Sequence, residues 1–225
     1  MGEIINFKSN GSDASGYFAA SKQDDAKSVI VIQEWWGLVD HIKDVCDRFS
    51  DAGFNALAPD LYNGKVVKEP DEAAKEMMAL KLQDASKIMS GAVDELISRT
   101  HSEKVGVTGF CMGGGLALVL ACNRPDVVTA VVPFYGVIPW ENAQPDYSKL
   151  SANVLGHFAE KDGFFTPELV RQLEDTLNGL NKQNKLIIYE GVEHAFFNDT
   201  RPEVFNKQAA ELAWSRTLEF FNENI

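Results

Sequence analysis

Gly109-Phe110-Cys111-Met112-Gly113 is the segment whose residue types and spacing best suit covalent chemistry. It lies between a predicted strand and a predicted helix. A sharp strand-to-helix turn lifts its central side chain above the sheet edge, and flanking glycines let strand and helix close up. Such elbows are usually built around serine, but the geometry serves a thiol equally well. The helix N-terminus behind Cys111 favours negative charge on the attacking atom. The backbone N–H of Met112 would point where an oxyanion forms. The competing reading is a glycine-rich turn holding a buried, inert cysteine, since free Cys is often simply core. Cys46 and Cys122 fall on predicted helices and are expected to be core.

A thiol nucleophile needs a base, and the base needs an orienting carboxylate. Behind an elbow of this kind the chain order is nucleophile, acid, histidine, each of the last two just past a strand. Glu160-Lys161-Asp162-Gly163 follows the predicted strand 153–159, and Asp162 is the expected acid, with Glu160 a near neighbour. Glu190-Gly191-Val192-Glu193-His194 follows the predicted strand 185–189, and His194 is the expected base. Imidazole is suited to taking and returning a proton near neutral pH. The bland reading of His194 is a surface-loop histidine. His41 on a predicted helix, His101 before a strand and His157 within one have no comparable place.

These positions require a scaffold of alternating strands and helices. A leading hairpin is predicted over 3–8 and 15–20, and a buried parallel strand over the β-branched run 28–33. Helix 39–52 stops at Gly53, a C-terminal signal, and strand 54–58 closes on Pro59-Asp60. Residues 71–99 read as one or two helices, 104–110 as a strand, and a helix runs from the elbow to about residue 122. Strands 127–134, 153–159 and 185–189 follow. Helix 166–179 has Thr166 as N-cap and Pro167 at its first position. Helix 202–222 closes the chain. Repeated βα units imply a mainly parallel sheet with helices on both faces, its active site beyond the C-terminal strand ends.

The bulk numbers narrow the class. The 225 residues suffice for a single domain, 1–225, with a sizeable core. The formal charge of −12 argues against non-specific binding to nucleic acid or anionic membrane. No leader and no apolar run long enough for a bilayer is visible. Three cysteines without framework spacing suit a reducing cytoplasm, and no zinc-ligand spacing occurs, so neither metal nor cofactor is expected. Nothing in the sequence speaks for an oligomer, and a monomer is favoured.

With these residues in hand, the chain resembles the dienelactone hydrolase (carboxymethylenebutenolidase) family over almost its whole length. The marks are Gln33-Glu34-Trp35-Trp36-Gly37, Ala58-Pro59-Asp60-Leu61-Tyr62, the Cys111 elbow with Gly114, Phe134-Tyr135-Gly136, Asp162, and Glu193-His194-Ala195-Phe196. The resemblance implies an α/β-hydrolase fold without a large cap domain. It implies a Cys111–Asp162–His194 triad that opens a lactone or activated ester through a thioester. It also implies Glu34 as the carboxylate tempering the resting thiol, and the Trp35 N–H as a second oxyanion donor beside Met112. The family pattern holds a substrate carboxylate with two arginines. One position is Asn198 here, with Arg201 three residues on, and no arginine occurs between Arg48 and Arg99. Substrate contacts are therefore expected from Arg201, Lys81, Tyr135 and Trp36. Lys75 is an alternative point charge, and neither lysine makes the bidentate fork of an arginine. Trp35 and Trp36 are bulkier than the pattern implies.

Two other classes compete. Gly113-Gly114-Gly115 at a helix start is the kind of turn that cradles phosphate. However, G-x-G-x-x-G is absent and the run follows the fifth predicted strand rather than the first. A non-catalytic scaffold that binds a small ligand, with Cys111 as a redox sensor, is the other.

Overall fold

The computed structural model describes residues 1–9, 11–139 and 143–225. The hairpin is β1 (Glu3–Ser9) and β2 (Ser12–Ala19). Then come β3 (Lys27–Ile32), α1 (Asp40–Asp51), β4 (Phe54–Pro59), α2 (Pro70–Ala79) and α3 (Leu82–Thr100). They are followed by β5 (Val105–Phe110), α4 (Met112–Asn123), β6 (Val128–Phe134) and β7 (Asn153–Ala159). The chain ends with α5 (Pro167–Gly179), β8 (Asn184–Tyr189) and α6 (Lys207–Asn224).

The strands form one sheet of eight in the order β1-β2-β4-β3-β5-β6-β7-β8. β1 and β2 join antiparallel, as does β2 to β4, and every other pairing is parallel. The chain winds outward from β3 to β4 and then crosses back to β5. The β3/β5 boundary is therefore a topological switch point, where strand ends diverge and leave a crevice.

Both faces of the sheet are covered, so β3 is apolar on both sides. Ile30 and Ile32 pack under α3 and α4 with Met89, Leu96, Val107 and Leu118. Val29 and Val31 pack under α1 and α6 with Ile42, Phe49, Ala213 and Phe221. α4 is buried from Gly113 to Cys122, which explains a helix apolar all round. α2 buries only Ala73, and its Met77 and Met78 border a cavity together with Met112 at the start of α4.

The N-cap of α5 is as expected: Thr166 Oγ1 accepts from Leu169 N, with Pro167 first in the helix. The expected start of the last helix at 202 is corrected. Arg201 O accepts from Val204 N (3.1 Å) and Phe205 N (2.9 Å), forming a separate turn. α6 begins only at Lys207, where the Asn206 side chain accepts from Ala209 N at 3.0 Å. A capping asparagine overrides the Pro202 start signal.

Candidate active site

Cys111 stands between β5 and α4 with φ 56° and ψ −121°, a conformation that L side chains rarely adopt. The turn is held by Cys111 N donating to Phe134 O (3.1 Å) and Gly114 N donating to Cys111 O (2.9 Å). Its glycines are steric requirements. A methyl group on Gly109 would overlap the carbonyl of Gly113, and one on Gly113 would overlap the carbonyls of Ile32 and Gln33. The elbow is thus pressed against the end of β3, the strand that leads into Glu34 and Trp35. Met112 is the first residue of α4, so its N–H is among those without an intrahelical acceptor.

Asp162 and His194 meet as the chain order requires. His194 Nδ1 lies 2.7 Å from Asp162 Oδ2. The other oxygen, Asp162 Oδ1, accepts from Phe164 N (2.8 Å) and Phe165 N (2.9 Å). A buried carboxylate with three hydrogen bonds is compensated for its lost hydration. Glu160 is exposed and accepts from Gly191 N at 2.8 Å, so it braces the loop and leaves the imidazole to Asp162. β7 and β8 are neighbours, and Lys161 N donates to Val192 O (2.9 Å), which brings the two loops together.

The electrostatics join the histidine to the thiol. Burial lowers the His194 pKa, but hydrogen bonds to Asp162 and Cys111, and their charges, outweigh it and raise the value to about 10. Glu34 is 2 % exposed. Burial raises its pKa against the lowering influence of His194, Arg201 and the Asn198 amide, whose Nδ2 donates to Glu34 Oε2 at 3.2 Å.

Aromatic rings wall the imidazole. Tyr135 (5.1 Å), Phe164 (5.5 Å) and Phe165 (5.7 Å) surround it, centroid to centroid. Trp35 stacks edge-on against Trp36 at 5.1 Å. Trp36, Glu34, Asn198 and Arg201 line a polar cavity of about 730 Å³. Arg201 Nε donates to Glu203 Oε1 (2.9 Å) at its rim.

Of the residues expected from the sequence, Cys111, Asp162, His194, Glu34, Trp35, Met112, Trp36 and Arg201 converge on this region. Tyr135 lies there too, fully buried against the imidazole, its hydroxyl lacking any partner among the described residues. One expected substrate contact does not converge there. Lys81 is exposed at the N-cap of α3. Asn198, expected only as a departure from the arginine pattern, instead holds Glu34, and the Phe164-Phe165 pair is not among the residues the sequence points to. The run Asp162-Gly163-Phe164-Phe165 carries the signal for the second: an acid followed by a turn that returns two N–H groups to it.

Among the described residues no group of three acidic, His or Cys side chains forms a metal-binding cluster. None of the described helices is long and apolar enough to cross a membrane.

Comparison with known proteins bears on the chain as a whole. The model of the dienelactone hydrolase family matches residues 14–225. A protein named usf from Aquifex pyrophilus is 39% identical, with 100% of both chains covered. A protein of Aquifex aeolicus provisionally named carboxymethylenebutenolidase is 36% identical, with 98% of both covered. The crystal structure of a provisionally described dienelactone hydrolase from Klebsiella pneumoniae superposes with a TM-score of 0.86 at 26% identity, covering 99% of this chain and 98% of the other. The fold is also that of a dienelactone hydrolase-like promiscuous phosphotriesterase from metagenomic libraries, with a TM-score of 0.88 at 21% identity and the same coverage. On this evidence the chain belongs to the dienelactone hydrolase family of α/β-hydrolases, enzymes acting on ester and lactone bonds.

Proposed function

We propose that this enzyme opens a lactone or activated ester through a Cys111–Asp162–His194 triad and a thioester intermediate. One observation carries the reading: the 2.7 Å contact of His194 Nδ1 with Asp162, on the histidine whose charge is coupled to the Cys111 thiol. The Cys111 thiolate adds to the acyl carbonyl. The oxyanion is held by the N–H groups of Trp35 and Met112. Collapse breaks the C–O bond, and the leaving oxygen takes the proton carried by His194. The neutral imidazole then removes a proton from water, which attacks the thioester and releases the acid. The thiolate and the imidazolium are restored, and the net reaction is ester plus water to acid plus alcohol.

Asp162 orients the imidazole and stabilises its cation. Glu34 is the buried carboxyl that tempers the resting thiol, and Asn198 positions it. Arg201 and Trp36 line the polar side of the substrate path.

Hydrolysis of p-nitrophenyl acetate and of enol lactones by wild type, Cys111→Ala and His194→Ala tests the reading. Each variant should lower kcat/KM by at least about 10³-fold, since members of such a unit fail together. Activity surviving Cys111→Ala would remove the thiol from the reaction.

A further inference from the structure

A second cavity, of about 480 Å³, opens beside the triad. Met77, Leu80, Leu82, Met112, Phe164 and Phe165 are among its lining. The volume falls in the ordinary range of small-molecule sites, about 300–1,000 Å³.

We propose that this cavity receives an uncharged apolar substituent of the substrate, an alkyl or aryl group, and that the enzyme prefers such neutral esters to carboxylate-bearing ones. The proposal rests on the hydrolase reading of Cys111. Continuity with the site is the first argument. Met112 is adjacent to the nucleophile, and the backbone N–H groups of Phe164 and Phe165 hold Asp162. A substituent leaving the reacting carbonyl on this side therefore enters the cavity directly.

Its chemistry is the second argument. Among the described residues that line it, none carries a charge. A carboxylate drawn in would lose hydration without gaining a counter-ion. The resemblance led to a cation from the α2–α3 stretch, but here Leu80 and Leu82 turn to the cavity while Lys81 between them is exposed. Polar and apolar functions are thus divided between two cavities, with Arg201 on the other one.

Adaptability is the third. Met77, Met78 and Met112 all line the wall, three of the five methionines in the chain. Thioether side chains are flexible and polarisable, and suit apolar groups of varied shape. At the rim Met78 is 82% exposed and Phe164 67% exposed, an uncovered apolar surface that an entering substituent would shield.

Two substrate series test this: p-nitrophenyl esters from acetate to octanoate, and alkyl acetates from methyl to octyl. In one series kcat/KM should rise about 3–4-fold per methylene until the cavity is filled, and that series identifies the side of the ester it holds. Met77→Glu should flatten the rise. Met78→Lys, a change at an exposed rim position, should lower the longest-to-shortest ratio of that series by tenfold or more. Met78→Leu should keep the ratio, and so should Leu212→Glu on the remote face of α6. In wild type 1-octanol should inhibit competitively, and Met77→Glu should weaken that inhibition. Flat slopes in both series, with hydrolysis still dependent on Cys111, overturn the cavity proposal alone. Absence of hydrolysis of every ester overturns the hydrolase reading and the proposal with it.

Discussion

His194 keeps its proton well above the usual imidazole range, because hydrogen bonds to Asp162 and Cys111 outweigh the cost of burial. A histidine raised in the folded state contributes stability that is fully present below about pH 6.5 and is lost as pH rises through about 10. Asp162→Asn removes one of the supports. The alkaline limb of kcat/KM for a neutral lactone, expected near pH 10 in wild type, should move toward lower pH, with kcat reduced by about 10²–10⁴-fold. A pH profile from 6 to 11 checks both; a limb that stays in place would count against the Asp162–His194 coupling.

Glu34 has the same pH slope from a different cause. Burial raises its pKa, so the folded protein holds the proton more tightly than the unfolded chain. Stability then falls as pH rises from the ordinary carboxylate value toward the folded one. Glu34→Gln should remove that slope and raise Tm near pH 8 by about 2–4 °C, the shift that about 1 kcal/mol produces at this size. Thermal melts of both proteins between pH 5 and 9 measure it. An unchanged slope would show that burial does not raise the Glu34 pKa.

At the scale of elements, the site is made of strand ends and the turns that leave them. Cys111, Tyr135 and Ala195 all have positive φ (56°, 35° and 64°), one beyond each of β5, β6 and β8. Such non-glycine conformations cost about 1–3 kcal/mol each and persist where surrounding structure enforces them. The elbow was legible because its glycines announce themselves. Tyr135 and Ala195 give no local sign; Tyr135 N donates to His157 O (2.7 Å) on the neighbouring strand, and Ala195 O accepts from Asn198 N (2.9 Å). Helix ends divide in the same way. Thr166-Pro167 marks the start of α5 in any context. The start of α6 depends on whether Pro202 or Asn206 is used, and the turn at Arg201 decides it. Asn206→Ala removes the cap and should lower stability by about 1 kcal/mol, read as a Tm lower by about 2–4 °C. A Tm unchanged within error would place the helix start elsewhere.

Over the whole molecule the net charge of −12 acts on any charged substrate before contact. Raising ionic strength from about 0.01 to 0.15 M shortens the Debye length from about 30 to 8 Å. The kcat/KM for carboxylate-bearing esters should therefore rise by about two- to tenfold over that range, while neutral esters stay flat. A parallel response in both would assign the effect to the site itself.

What the sequence determined by itself is the order of parts: strands, helices, the glycine-bounded Cys111 turn, and an acid and a histidine each just past a strand. Those are local signals, since period, caps and turn residues act over a few positions. Tertiary structure alone decided the long-range pairs. Asn198 reaches Glu34 across 164 residues, Glu160 turns away to Gly191, and Met77 of α2 with Leu80 just past it lines one cavity with Phe164 and Phe165. Such contacts follow from how two helical layers close on one sheet, a balance of burial over the whole chain that no short stretch encodes.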